Sequence, residues 1–169
     1  MRRRAFLASG AGALAAAAGC AGLDTGSKAL SGATVRTIDA PGSKQGSLSL
    51  PTGSVVVLDV FATNCAPCET EMKRLTAARS RLDSSISFVS VTNQVVGGSF
   101  TTSDLRRWWT THDGAWPVGF DAHGTIDRVL GVSALPTLAV VGPGGDVAWR
   151  HEGVASVDAL VSAVRSETG

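Results

Sequence analysis

One junction restricts this fold more than any other feature. The run Val55-Val56-Val57-Leu58-Asp59-Val60-Phe61 is apolar and β-branched but for one acid, and soon after it Cys65-Ala66-Pro67-Cys68 opens a segment of helical spacing. A seven-residue run of that composition reads as a strand buried on both faces, which needs helices on both sides of a sheet. Beyond it Cys68, Met72 and Leu75 share one helical face, with Arg79 and Arg81 near the favourable C-terminal end. Pro67 sits in the first turn, where the missing N–H would be unpaired anyway. A buried strand thus feeds a helix through a pair of thiols.

The rest of the chain supplies matching parts. Val35–Ile38 and Leu48–Leu50, with turns marked by Gly42 and Gly46, suggest a small hairpin. Ile86–Thr92 reads as a second buried strand, and Thr102 or Ser103 is expected to cap a helix through Trp108 and Trp109. Of those adjacent tryptophans, one should lie in the core and the other at its edge. Pro117–Asp121 suggests a strand and Thr125–Leu130 a short helix ended by Gly131. Thr137–Val141 and Val147–His151 form a hairpin pattern across Gly142-Pro143-Gly144-Gly145. Ser156 caps a last helix through Val157, Leu160, Val161 and Val164. That order is an α/β plan with a mixed central sheet. Neither Gly97-Gly98 nor the Gly142–Gly145 stretch precedes a helix in a phosphate-cradling pattern.

The N-terminus reads as a targeting segment, which sets the domain boundaries at 1–20, 21–33 and 34–169. Arg2, Arg3 and Arg4 precede an Ala/Gly-rich apolar run from Ala5 to Ala18, too short and too mild for a membrane span. Arg3-Arg4-Ala5-Phe6-Leu7 resembles a twin-arginine export signal, and Ala17-Ala18-Gly19-Cys20 resembles a lipobox with Cys20 as the lipidated residue. Plain secretion by cleavage at an A-x-A site is the competing reading. Residues 21–33 are rich in Gly, Ser, Thr and Ala and suggest a flexible tether. Without the three leader arginines, Lys and Arg number 12 against 14 acids, which leaves no electrostatic footprint for nucleic acid.

At the helix start, the sulfur of Cys65 meets unpaired backbone N–H groups and the positive end of the helix dipole, both of which favour the nucleophilic thiolate. Redox exchange, a zinc half-site and a structural staple are the possible uses of such a pair. Zinc needs further ligands, but the third cysteine is Cys20, and His112, His123 and His151 are scattered singly in contexts that suggest solvated rings. A staple closing so small a loop stabilises little. Asp59 is either a buried acid with a raised pKa or an end-of-strand residue reaching water. Glu71 lies on the helical face of Cys68, or else on the surface of the first turns.

The run from Val57 to Met72 resembles the active-site segment of thioredoxin-like proteins, nearest to the TlpA/ResA-like extracytoplasmic thiol–disulfide oxidoreductases. The likeness continues through Trp116-Pro117-Val118, Asp121 with Gly124, and Gly131-Val132-Ser133-Ala134-Leu135-Pro136-Thr137, and covers most of residues 35–165. Asn64 stands where that family usually carries Trp. The resemblance implies a three-layer α/β sandwich, with a mixed sheet flanked by helices and no bound cofactor. It implies that Pro136 is a cis-proline facing the disulfide, the alternative being a trans proline that starts the next strand. It implies that Leu135 offers its backbone to an extended client, with Ala66 and Pro67 at the contact. It further implies that Asp59 or Glu71 takes the proton of the resolving Cys68.

The expected activity is exchange of the Cys65–Cys68 disulfide with exported protein thiols, in the reducing direction, by a lipid-anchored enzyme reset by an upstream redox partner. Apocytochrome c is a client the resemblance implies. Two alternatives share the fold. A thiol peroxidase commonly has Thr three residues before the attacking cysteine, where this chain has Ala62, with Thr63 one position off. A copper-handling carrier usually spaces its cysteines by three residues, and here the spacing is two.

Overall fold

The computed structural model describes residues 29–169. Seven strands form one sheet: β1 (Ala33–Thr37), β2 (Gly46–Leu50), β3 (Val56–Phe61), β4 (Ser87–Thr92), β5 (Val118–Phe120), β6 (Thr137–Val141) and β7 (Val147–Glu152). Their spatial order is β2-β1-β5-β4-β3-β6-β7. The central β3, β4 and β5 are parallel, while the β1–β2, β1–β5, β3–β6 and β6–β7 pairs are antiparallel. Four helices complete the fold: α1 (Ala66–Arg79), α2 (Thr102–Thr111), α3 (Thr125–Leu130) and α4 (Val157–Thr168).

Alternation along β3 divides the core. Val57 and Phe61 face a layer built with Met72 and Leu75 of α1, Trp108 and Trp109 of α2, and Leu160 and Val161 of α4. Val56, Leu58 and Val60 face the other layer, with Ile126 and Leu130 of α3. Every residue of β3 is buried, Asp59 included, as a run apolar but for one acid predicts. Asp59 falls on the α1 face by the same alternation. The mixed three-layer α/β architecture is the one expected.

Most elements form where their sequence patterns place them; the differences are at the ends. The cap of α2 is Thr101, not Thr102 or Ser103: its hydroxyl accepts from the Asp104 N–H, and the Asp104 carboxylate accepts from the Thr101 N–H. That reciprocal pair satisfies two orphan donors at once, which outweighs the choice between neighbouring hydroxyls. β5 is shorter than the expected Pro117–Asp121 run, because Pro117 has no N–H for the ladder and Asp121 turns to bind the His123 and Ile126 N–H groups. Gly131 closes α3 with φ of 61°, a left-handed conformation that only glycine adopts without strain.

The packed domain also begins before residue 34. Leu30 is fully buried and its N–H donates to the Gly145 carbonyl at 2.8 Å, so the last residues of the Ala/Gly/Ser-rich stretch belong to the fold. The proposed signal, lipobox and most of the tether, residues 1–28, lie outside the described residues. Among the described residues no helix is long and apolar enough to cross a membrane.

Candidate active site

Cys65 is the N-cap of α1, and Cys68 lies in its first turn, its N–H donating to the Cys65 carbonyl at 3.0 Å. The two form a disulfide with their Cα atoms 5.3 Å apart. Cys65 is half-buried and Cys68 is 1% exposed, so one sulfur can meet a partner and the other is sealed against the core. Ala66 and Pro67 between them are exposed. The sequence order at the helix start produces this asymmetry, because the N-cap residue still belongs to the loop while the next turn packs down.

Leu135–Pro136 is a cis peptide, and Pro136 is buried while Leu135 stays half-buried. Val60 pairs with Thr137 in the β3–β6 ladder, so Pro136 sits at the same end of the sheet from which Cys65 leaves β3. The alternative of a trans proline is set aside. A residue the sequence analysis missed holds this loop: Glu152 accepts from the Ser133 N–H and hydroxyl at 2.9 and 2.7 Å and from the Ala134 N–H at 3.3 Å. These bonds and Arg150 hold the Glu152 carboxyl down at about 2. Only the β7 hairpin brings Glu152 back to that loop, a placement visible in no local pattern.

Both acids are buried. Asp59 is 2% exposed and Glu71 1%, which removes the end-of-strand and surface readings. Asp59 Oδ2 accepts from the Ser90 hydroxyl at 2.8 Å, and that hydroxyl in turn accepts from the Trp116 indole N–H at 2.9 Å. Asp59 and Ser90 are register partners across β3 and β4, so both point to the α1 face. Glu71 Oε2 accepts from the Ala155 N–H at 2.9 Å. The other oxygen of each carboxyl, Asp59 Oδ1 and Glu71 Oε1, has no partner. Burial pushes Asp59 up to about 7, against the opposing Ser90 bond and with a further rise from nearby Glu71. Burial likewise pushes Glu71 up to about 7, against the Ala155 bond and the Arg74 charge. Two buried carboxyls poised near neutrality, Glu71 one turn past Cys68 on α1, have the chemistry to take and return a proton.

Aromatic packing closes one side. Phe61 stacks on Trp108 at 4.7 Å, and Trp108 meets the His112 ring at 4.3 Å. His112 is therefore half-buried and not the solvated ring expected, with Nε2 at 3.8 Å from Glu69. His151 is also half-buried, stacked on Trp149, while His123 is exposed. Trp109 is fully buried and Trp108 9% exposed, and both pack in the same core layer. The Thr63 hydroxyl, which the peroxidase reading considered, donates to Gln94 at 2.9 Å. Among the described residues no group of three or more His, Cys, Asp or Glu side chains is placed to hold a metal ion.

Residues 32–150 match the AhpC/TSA family. No curated protein matches the chain. Among solved structures it is similar to a protein described as a thiol:disulfide interchange protein DsbE from Chlorobium tepidum, 26% identical, covering 82% of this chain and 98% of that one with a TM-score of 0.64. It is similar to the pneumococcal exposed lipoprotein thioredoxin of Streptococcus pneumoniae, at 20% identity, 77% and 98% coverage and a TM-score of 0.63. It also resembles a secreted Mycobacterium tuberculosis disulfide oxidoreductase, at 16% identity, 77% and 94% coverage and a TM-score of 0.59. The last two likenesses speak for the fold alone, which agrees with the TlpA/ResA-like resemblance. The family match spans well over half of the sequence and encloses the dithiol. The chain therefore belongs to the AhpC/TSA family, as a thiol–disulfide oxidoreductase of thioredoxin-like fold.

Proposed function

We propose that the enzyme reduces disulfides of exported proteins from a lipid-anchored position outside the cytoplasm. The observation that carries the chemistry is the unequal exposure of the two sulfurs, a half-buried Cys65 at the helix N-terminus and a sealed Cys68 in contact with the core. In the reduced enzyme the Cys65 thiolate attacks a client disulfide, forming a mixed disulfide and releasing one client thiolate. Cys68 then loses its proton to Asp59 or Glu71 and attacks the Cys65 sulfur, closing the Cys65–Cys68 bond and freeing the second client thiol. The client gains two electrons and two protons, and an upstream dithiol partner returns the enzyme to its reduced form. The exposed Ala66 and Pro67 and the backbone of Leu135 beside cis-Pro136 are the contacts for an extended client segment.

The reducing direction rests on electrostatics. A strong oxidant needs an exceptionally stabilised thiolate. Here the dipeptide between the cysteines carries no charge, and the two buried carboxyls oppose further negative charge beside them. The reduction potential should therefore lie nearer the thioredoxin value of about −270 mV than the DsbA value of about −120 mV. Equilibration with glutathione or dithiothreitol buffers measures it, and a value above about −180 mV would make the enzyme an oxidase or isomerase.

Support for the anchor comes from the Ala18-Gly19-Cys20 leader end, which precedes a polar stretch suited to a tether. Exported cysteine proteins are the clients this location offers, apocytochrome c among those the sequence resemblance implies. Trapping tests the roles directly: Cys68→Ser should accumulate mixed disulfides with clients and Cys65→Ser none, and the reverse pattern overturns the assignment. Membrane fractionation of wild type against Cys20→Ala tests the anchor, and equal release of both into the soluble fraction refutes it.

A further inference from the structure

Between the end of β3 and the start of α1 the chain crosses Ala62, Thr63 and Asn64 before it reaches Cys65. This turn sets where the Cys65 sulfur lies against the α1 N-terminus, yet it is outside the sheet ladder. Its tie to the sheet is a side chain. Oε1 of the half-buried Gln94, just past β4, accepts from the Thr63 N–H at 2.7 Å and from the Thr63 hydroxyl at 2.9 Å. The same oxygen accepts from the Thr92 hydroxyl at 3.3 Å, and the Gln94 N–H donates to Thr92 Oγ1 at 3.3 Å. Next to it the Asn93 N–H donates to the Phe61 carbonyl at 3.0 Å, extending the β3–β4 pairing to the point where the chain departs. One amide oxygen thus collects three donors, and the two from Thr63 come from a residue just ahead of the nucleophile.

We propose that Gln94 is a positioning residue for Cys65: its side-chain carbonyl stands in for a ladder partner and fixes the turn that holds the attacking sulfur at the helix N-terminus. The inference rests on the reading of Cys65 as the attacking thiol. Helix-end stabilisation of a thiolate falls off within a turn, so a turn free to shift lets the sulfur lose part of it. The amide suits the role better than a carboxylate, which would accept the same bonds but bring a negative charge toward a thiolate.

The test is the pH dependence of iodoacetamide alkylation in the reduced enzyme, with the modified cysteine located by peptide mapping. Gln94→Leu, which keeps the bulk and removes the acceptor, should move the Cys65 profile to higher pH. A rise of one unit makes labelling about tenfold slower at pH values well below the pKa, since the reactive species is the thiolate. Gln94→Glu retains the acceptor and should keep the wild-type plateau rate at high pH, with a profile displaced upward by its charge. Thr63→Val removes one of the two Thr63 donors and should give a shift smaller than that of Gln94→Leu. Thermal unfolding run alongside confirms that the variants are folded. A Gln94→Leu profile superimposable on wild type overturns the proposal, as does a Gln94→Leu shift no larger than that of Thr63→Val. Failure of the oxidoreductase reading shows separately, as wild type that cannot reduce insulin disulfides or as labelling on Cys68 instead of Cys65.

Discussion

Asp59 and Glu71 each leave one carboxyl oxygen without a partner in the core, and this has a measurable consequence. Both are pushed up to about 7 from ordinary values near 4, so the folded protein keeps protons that the unfolded chain releases between roughly pH 4 and 7. Stability must therefore fall as pH rises across that window and level off above it. Asp59→Asn, which can still accept from Ser90, should be more stable than wild type at pH 8 by about 2–4 kcal/mol and equal to it near pH 4, as read by urea unfolding. The same substitution should slow client release, and the Asp59→Asn/Glu71→Gln double variant on the order of a hundredfold, in stopped-flow decay of a mixed disulfide. A flat stability profile in wild type would refute the burial argument. Asp59 stands out in the sequence as one acid in an apolar strand. Its partner Ser90, and Trp116 that donates to Ser90, do not, because they assemble only through the β3–β4 register and the β5 approach.

Helix α2 and the loop before β6 show how elements set the site's walls. The Thr101–Asp104 capping box starts α2, and the helix carries Trp108 onto Phe61 and His112 toward Glu69. Thr101→Ala should cost about 1 kcal/mol in denaturant unfolding, with no change in the Cys65 alkylation profile. The Ser133–Pro136 loop is held from β7 by Glu152. Glu152→Ala should leave the Cys65 pKa where it is and slow mixed-disulfide formation with a peptide client, because the Leu135 backbone is no longer held for pairing. An equal rate for variant and wild type would remove Glu152 from client recognition. Capping patterns are local, so the existence of α2 was readable; the choice of Thr101 over its neighbours was not, since three consecutive hydroxyl-bearing residues compete there.

The two-layered core of the whole molecule reaches further toward the N-terminus than composition suggests. Leu30 is 0% exposed, packs in the layer of Val56, Leu58 and Ile126, and is tied to the β6–β7 turn through Gly145. Leu30→Ala should destabilise the domain by about 2–5 kcal/mol in chemical unfolding, the range for truncating a buried leucine. A loss under about 0.5 kcal/mol would show that this segment belongs to the tether, as is usual for surface positions.

Short-range information was enough for much of this enzyme. The β-branched run of β3, the 3.6-residue spacing of α1 and the turn glycines each act over a few residues, so composition and period reveal them. The order of those elements yields the α/β plan, and the position of Cys65 at a helix start yields its exposure and that of Cys68. Folding alone could bring Ser90 to Asp59, Trp116 to Ser90, Ala155 to Glu71, Glu152 to Ser133 and Gln94 to Thr63. Those partners lie 19 to 84 residues apart, and nothing in a polar side chain's own neighbourhood states which distant donor will face it. Strand register and helix packing settle that, because a buried carboxyl or amide must find a partner wherever the closed core happens to present one.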